Sequence, residues 1–180
     1  MRAVADRLAD VLPTGFRVEV LGGSLVASPA PSNKHNGVVR RVMLQVERQL
    51  TPDRMTYQVS SVGFGGDDGD LAIPDLVVLP SKAEEEDEWL NSPDVVEFVL
   101  EVASPGNPAT DVTVKPQVYA SMGIPIYLLI DPRRGSAVCR SDPRDGRYQG
   151  IHHFRYGAVI PLPDPLEDVR IETDALPRYT

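Results

Sequence analysis

The stretch VVEFVLEVA at residues 95–103 constrains this chain more than any other. It is apolar apart from two glutamates and lacks the two-residue alternation of a strand with one wet face, so it reads as a strand buried on both sides. A second run of this kind, IPIYLLI at 124–130, ends at Asp131-Pro132. Strands buried on both faces need cover above and below, and the expected class is therefore α/β (α+β), a mixed central β-sheet flanked by helices. Within that frame Glu101 is an anomaly. A carboxylate at the end of a core strand is costly unless it is paired or bound to a metal.

The rest of the chain supplies the expected layers. Val4, Leu8, Val11 and Leu12 have helical spacing, and Pro13 closes a short docking helix. Strands at 16–20, which carries Glu19, and at 24–28 flank Leu21-Gly22-Gly23, a turn suited to a hairpin. Pro29 and Pro31 break the sheet and Ser32 caps a long helix. That helix shows Val38, Val39, Val42, Val46 and Leu50 on one face, has His35 in its first turn and ends before Pro52. Two strands, 55–62 and 70–79, are joined by a loop rich in glycine and aspartate at 63–69. Pro74 within the second strand predicts a bulge or an edge position where Asp75 is presented. Residues 81–89 form an acidic, helix-like connection whose Glu run reads as solvated surface.

Residues 111–122 read as a helix capped by Gly123, its regular part starting near Lys115 because Pro116 suits only a first turn. Shorter strands follow at 136–140, 148–155 and 158–162, and the segment 169–176 covers the sheet. One domain over 1–180 is expected, since 180 residues at 42% hydrophobic suffice for one substantial core. The single cysteine, Cys139, permits no internal disulfide, and no ligand-spaced Cys or His offers a zinc site. With no signal-peptide core and no membrane-length apolar stretch, the expectation is a cytoplasmic protein with no membrane partner.

The two apolar runs around Asp75 and Glu101, followed by Asp111 and Lys115, carry the chemistry. If the runs are neighbouring strands, their carboxylates meet at the sheet edge and Lys115 comes over them, making a metal site with a cation beside it. A hard divalent cation takes oxygen ligands, commonly one or two carboxylates with waters, and there it can generate a hydroxide at neutral pH and offset growing negative charge. Asp75 and Glu101 are the candidate metal ligands, and Lys115 is the candidate cation for the transition state. The structural alternative for Asp111 and Lys115 is a helix-surface ion pair, worth only about 0.3–0.5 kcal/mol, whose loss folding should survive. Tyr119 reads as core packing.

Four pieces in order resemble the Uma2 (DUF820) family of restriction endonucleases within the PD-(D/E)XK nuclease superfamily. They are PD at Pro74 and Asp75, EVASP at 101–105, D-x-x-x-K-x-x-x-Y at 111–119 and GIPIYLLIDP at 123–132. The segment RVEVLGGSLVASPAPSNKH at 17–35 is similar to the family's amino-terminal Glu, hairpin and His, and the layout of the tail from 135 is similar too.

The resemblance implies a restriction-endonuclease-like core with an N-terminal hairpin and additional C-terminal strands, acting as a Mg2+-dependent endonuclease on DNA with Mn2+ as substitute. It implies Asp75, Glu101 and Lys115 as catalytic residues and Asp75 and Glu101 as metal ligands. Glu19 would be auxiliary, reaching the metal through water, with His35 near phosphate and Asp111 beside the lysine. Assembly as a homodimer is a further expectation. The chain departs from the E-x-K form, because that lysine's place is Ala103. Lys115 looks like a lysine migrated to the next helix.

The net charge of −8 sits awkwardly with nucleic acid. Five of the 26 acids lie at 84–88, however, and without them the other 21 face 18 basic residues, a balance of −3. Six Arg against Asp142 and Asp145 make 133–155 locally +4. Arg133, Arg134 and Arg140 are accordingly the candidate nucleic-acid contacts. The runner-up reading is a nuclease-fold scaffold, catalytically weak or inactive, that binds nucleic acid or protein. A hydrolase of a smaller phosphate ester would share the site.

Overall fold

The computed structural model describes residues 1–66, 69–104 and 110–179. Pro105 of the EVASP motif and part of the 63–69 loop lie outside the described residues. Helix α1 (Arg2–Val11) precedes a hairpin of β1 (Arg17–Leu21) and β2 (Ser24–Ser28), then α2 (Asn33–Glu47). Next come β3 (Arg54–Tyr57), β4 (Ser61–Val62), β5 (Leu76–Pro80), β6 (Leu90–Asn91) and β7 (Phe98–Val102). A π-helical turn, Thr110–Val114, runs directly into α3 (Lys115–Ser121). The chain ends with β8 (Ile126–Asp131), β9 (Ser136–Arg144), β10 (Arg147–Arg155), β11 (Val159–Pro161) and β12 (Arg170–Glu172).

Six strands form the central sheet in the order β10-β9-β8-β7-β5-β3. Strands β7 and β8 are parallel and the other neighbours antiparallel, so the sheet is mixed. The parallel pair needs a crossover, which runs through α3. Alternation then sorts the side chains. Leu76, Val78, Phe98, Leu100, Ile126 and Leu128 pack against the valine face of α2 and the apolar residues of the tail. Val77, Val99, Ala103, Tyr127 and Leu129 face α3, where Val118, Tyr119 and Met122 meet them. Each fully buried Val, Leu or Ile of this kind contributes about 1.5–3 kcal/mol relative to an exposed one. By the same alternation, Glu101 shares the α3 face with Val99 and Ala103.

Local chemistry fixes the ends of these elements. The Ser32 hydroxyl accepts from His35 N–H at 3.3 Å, capping α2 and setting His35 in its first turn. Asp145 and Gly146, at φ 50° and 71°, make the tight turn between β9 and β10, where an Asp-Gly pair suits two positive angles.

The expected strands at 55–62 and 70–79 are cut shorter. The first breaks at Val59, which has φ 59°, into β3 and β4, and β4 pairs in parallel with β6. Of the second, only Leu76–Pro80 joins the sheet, while Leu71 and Ala72 make single bridges to Val20 and Val62. Strand β5 runs inside the sheet between β3 and β7, so the edge position expected from Pro74 gives way. Pro74 stands just before the strand, where its missing N–H costs no ladder bond. The acidic connection holds a 3-10 turn at Ser81–Glu85, and its carboxylates at 84–88 are exposed. Among the described residues, no helix is long and apolar enough to cross a membrane.

Candidate active site

Asp75 immediately precedes β5 and Glu101 follows Leu100 on β7. Because Leu76 pairs with Leu100, the two carboxylate-bearing residues stand opposite each other one step beyond that pair. They are 5% and 3% exposed. Asp75 Oδ2 accepts from Val102 N–H at 2.9 Å and lies 2.9 Å from His35 Nε2 of α2. Its Oδ1 accepts from Arg17 Nη1 of β1 at 3.2 Å. Burial works against ionisation of Asp75, yet His35, the Val102 amide and Lys115 together hold its carboxyl below the usual range.

Lys115, at the start of α3, is buried at 5% exposure rather than lying on a helix surface. Its Nζ donates to Glu101 Oε1 at 2.8 Å and sits 3.3 Å from Glu19 Oε1 and 3.9 Å from Asp111 Oδ1. Burial disfavours its charge, but Glu101, Glu19 and Asp111 outweigh that and hold the ammonium above its ordinary range. Glu19 Oε1 also accepts from Ile73 N–H at 2.8 Å. Tyr119, one turn along α3, donates to Glu101 Oε1 at 2.6 Å, so it orients a site carboxylate as well as packing the core. Burial pushes Glu101 well above its ordinary value, Lys115 opposes this, and Asp75, Asp111 and Glu19 add to it.

All of these polar residues but Tyr119 line one cavity of about 490 Å³, bounded by the β2–α2 connection, Ser104 and Tyr179. Four buried carboxylates, Glu19, Asp75, Glu101 and Asp111, face two permanent cations, Arg17 and Lys115, and one imidazole. Fully ionised, the four carboxylates would leave negative charge in excess. No group of three or more His, Cys, Asp or Glu side chains among the described residues is disposed to hold a metal ion unaided.

The sequence matches the family model Uma2, described as "Putative restriction endonuclease", over residues 5–174. The chain belongs to the Uma2 family. In structure it is similar to a "putative nuclease belonging to DUF820" from Anabaena variabilis, with TM-score 0.73 and 20% identity over 96% of each chain. No curated protein matches the chain in sequence.

In this Uma2 protein, Asp75, Glu101, Lys115, Glu19, His35 and Asp111 all reach the cavity. The arginines proposed for nucleic acid do not line it. Arg133 is held by Asp131 through contacts of 2.8 and 2.7 Å. Arg134 is 81% exposed beside the same carboxylate, at 3.8 Å, and Arg140 is half-buried on β9. Sequence reasoning gave Arg17 no role and read Tyr119 as core packing alone. Arg17 stands two positions before Glu19, so strand alternation already placed it on Glu19's face. Tyr119 follows Lys115 by four residues, the spacing that puts both on one face of a helix.

Asp111 gives the site a pH signature. Burial pushes its carboxyl up to about 6 from the ordinary 3.8, with Lys115 opposing and Asp75 and Glu19 adding. A raised folded value means that the folded chain holds this proton more tightly than the unfolded chain. The stabilising contribution is therefore complete below 3.8 and lost as pH rises through about 6. The loss is on the order of 3 kcal/mol. Asp111→Asn cannot titrate, so the urea-midpoint difference between parent and variant should move against the parent across this window. A pH-independent difference would remove Asp111 from the coupled cluster.

Proposed function

We propose that this chain is a divalent-cation-dependent endonuclease that hydrolyses DNA phosphodiester bonds. The observation that carries the reading is the acidic character of the cavity, where among the described residues four buried carboxylates face two permanent cations. Buried charge of one sign is costly without a partner, and a divalent cation matches the deficit. The donor chemistry fits. Asp75 and Glu101 offer hard oxygens, and Mg2+ commonly takes one or two carboxylates and fills its remaining positions with water and phosphate oxygens. Bound there, the cation would polarise the phosphate and lower the pKa of a water.

The chain's own residues do the rest. Lys115 keeps its proton under the pull of three carboxylates, so it acts as a fixed positive charge toward a phosphate in the cavity and not as a base. Tyr119 and the Val102 amide hold Glu101 and Asp75 in place, and Glu19 positions the ammonium. Ala103, in the E-x-K place, is fully buried against α3, while Lys115 reaches Glu101 from the start of that same helix.

Supercoiled plasmid should be nicked with Mg2+ or Mn2+ and left intact with a chelator, while calorimetry detects uptake of the cation by the protein alone. Cation uptake without cleavage of duplex or single-stranded DNA would favour the scaffold reading. Cleavage that survives chelation would sink the metal-dependent one.

A further inference from the structure

We propose that Arg17 serves two partners in turn: Asp75 while the site holds no divalent cation, and a phosphate oxygen of the nucleic acid once a cation has taken Asp75. The inference rests on the nuclease reading of the cavity and adds to it a residue that neither the motif set nor the family description assigns.

The two carboxylate oxygens of Asp75 are held differently. Oδ2 is fixed from within the protein by the Val102 amide, with His35 beside it. Oδ1 has the Arg17 guanidinium, through one contact at 3.2 Å. A hard cation binding Asp75 through Oδ1 competes with Arg17 for that oxygen, whereas Oδ2 can keep its backbone donor. The two permanent cations of the cavity also differ in freedom. Lys115 is enclosed by Glu101, Glu19 and Asp111, and its side chain is 7% exposed. The Arg17 side chain is 21% exposed at the start of β1, opposite Ser28, which also lines the cavity. Released from Asp75, the guanidinium cannot lose its charge, and it stays beside the cavity with a planar fork of donors whose geometry suits phosphate oxygens. Its role is electrostatic, and it forms no covalent bond.

This arrangement predicts effects of opposite sign from one substitution. In Arg17→Met the competitor for Asp75 is gone, so Mn2+ measured alone, by its electron-paramagnetic signal, should bind about twofold to fivefold tighter, the equivalent of a partly exposed ion pair. A short single-stranded oligonucleotide, measured with Ca2+ in the site, should bind about tenfold more weakly, as expected for one charge-assisted contact. The dependence of log K on log salt should flatten by about 0.7. Arg17→Lys, which keeps the charge and loses the fork, should recover most of the salt slope but not the full affinity, and it decides the question if Arg17→Met fails to fold.

Weaker Mn2+ binding by Arg17→Met with unchanged melting would overturn the proposal, because Arg17 would then be a support of the acidic site. Unchanged oligonucleotide affinity and slope, with the parent chain binding Mn2+ and cleaving, would overturn it while leaving the nuclease reading intact. A parent chain that takes up no Mn2+ at all overturns both.

Discussion

Lys115→Ala should lower the stability of the folded chain by about 3–5 kcal/mol, the range for a buried charge stripped of its partner. Its ammonium lies 2.8 Å from Glu101 and 3.3 Å from Glu19, both almost wholly buried, and without it these carboxylates must take up protons or find another cation. Two companion measurements separate the charge effect from lost packing. Lys115→Met keeps much of the stem and should lose nearly as much. Adding Glu101→Gln to Lys115→Met should recover part of the loss, because coupled neighbours are not additive. Mg2+ should stabilise the Lys115→Met chain more than the parent, since it would supply the positive charge that is missing. Cleavage should vanish in both single variants. A stability loss below about 1 kcal/mol in urea denaturation would place Lys115 in the class of surface pairs and remove it from the centre of the site.

Glu101→Gln should behave in the opposite way, with cleavage lowered by about two to three orders of magnitude or more and stability held or raised. Metal-assisted stabilisation of charge on a phosphate lowers the barrier by several kcal/mol, and each 1.36 kcal/mol is about a factor of ten in rate. Stability need not suffer, because burial and three neighbouring carboxylates already disfavour the charge on Glu101. Gln is close to isosteric and can still accept from Lys115 and Tyr119. The informative experiment pairs single-turnover cleavage of plasmid with urea denaturation on the same preparation. Wild-type cleavage by Glu101→Gln would dismiss Glu101 as a ligand, and an unfolded variant would show a structural carboxylate instead of a functional one.

Those two residues also show how far sequence reasoning reaches. Asp75 and Glu101 were legible because each interrupts an apolar pattern, and a charge at the end of a core strand has few bland explanations. The mixed sheet and its helices followed from the runs at 95–103 and 124–130 and from the valine face of α2, patterns that depend on neighbours in the chain. Burial of Lys115 was not legible. A Lys four residues after an Asp on a helix is ordinarily solvated, and only packing of α3 over the α3 face of the sheet encloses it. The same holds for Arg17, whose partner lies 58 positions away. The strand expected at 70–79 was overextended for a related reason. Its first residues pair singly with β1 and β4 rather than with the central sheet, and no local propensity encodes that exchange of partners.

The bond from the Val102 amide to Asp75 Oδ2 joins the carboxylate preceding one strand to the backbone of its neighbour. The distance between the two acidic residues is consequently set by inter-strand spacing and not by a loop. Fraying at the periphery cannot spread them apart, because that requires separating β5 from β7 in the middle of the sheet, where nearly every residue is buried. Regions of that kind open only near the global unfolding free energy. Thermal inactivation and melting of the core are thereby bound into a single transition, and the protein has no warm, folded but chemically disarmed state reached by loosening these two strands alone.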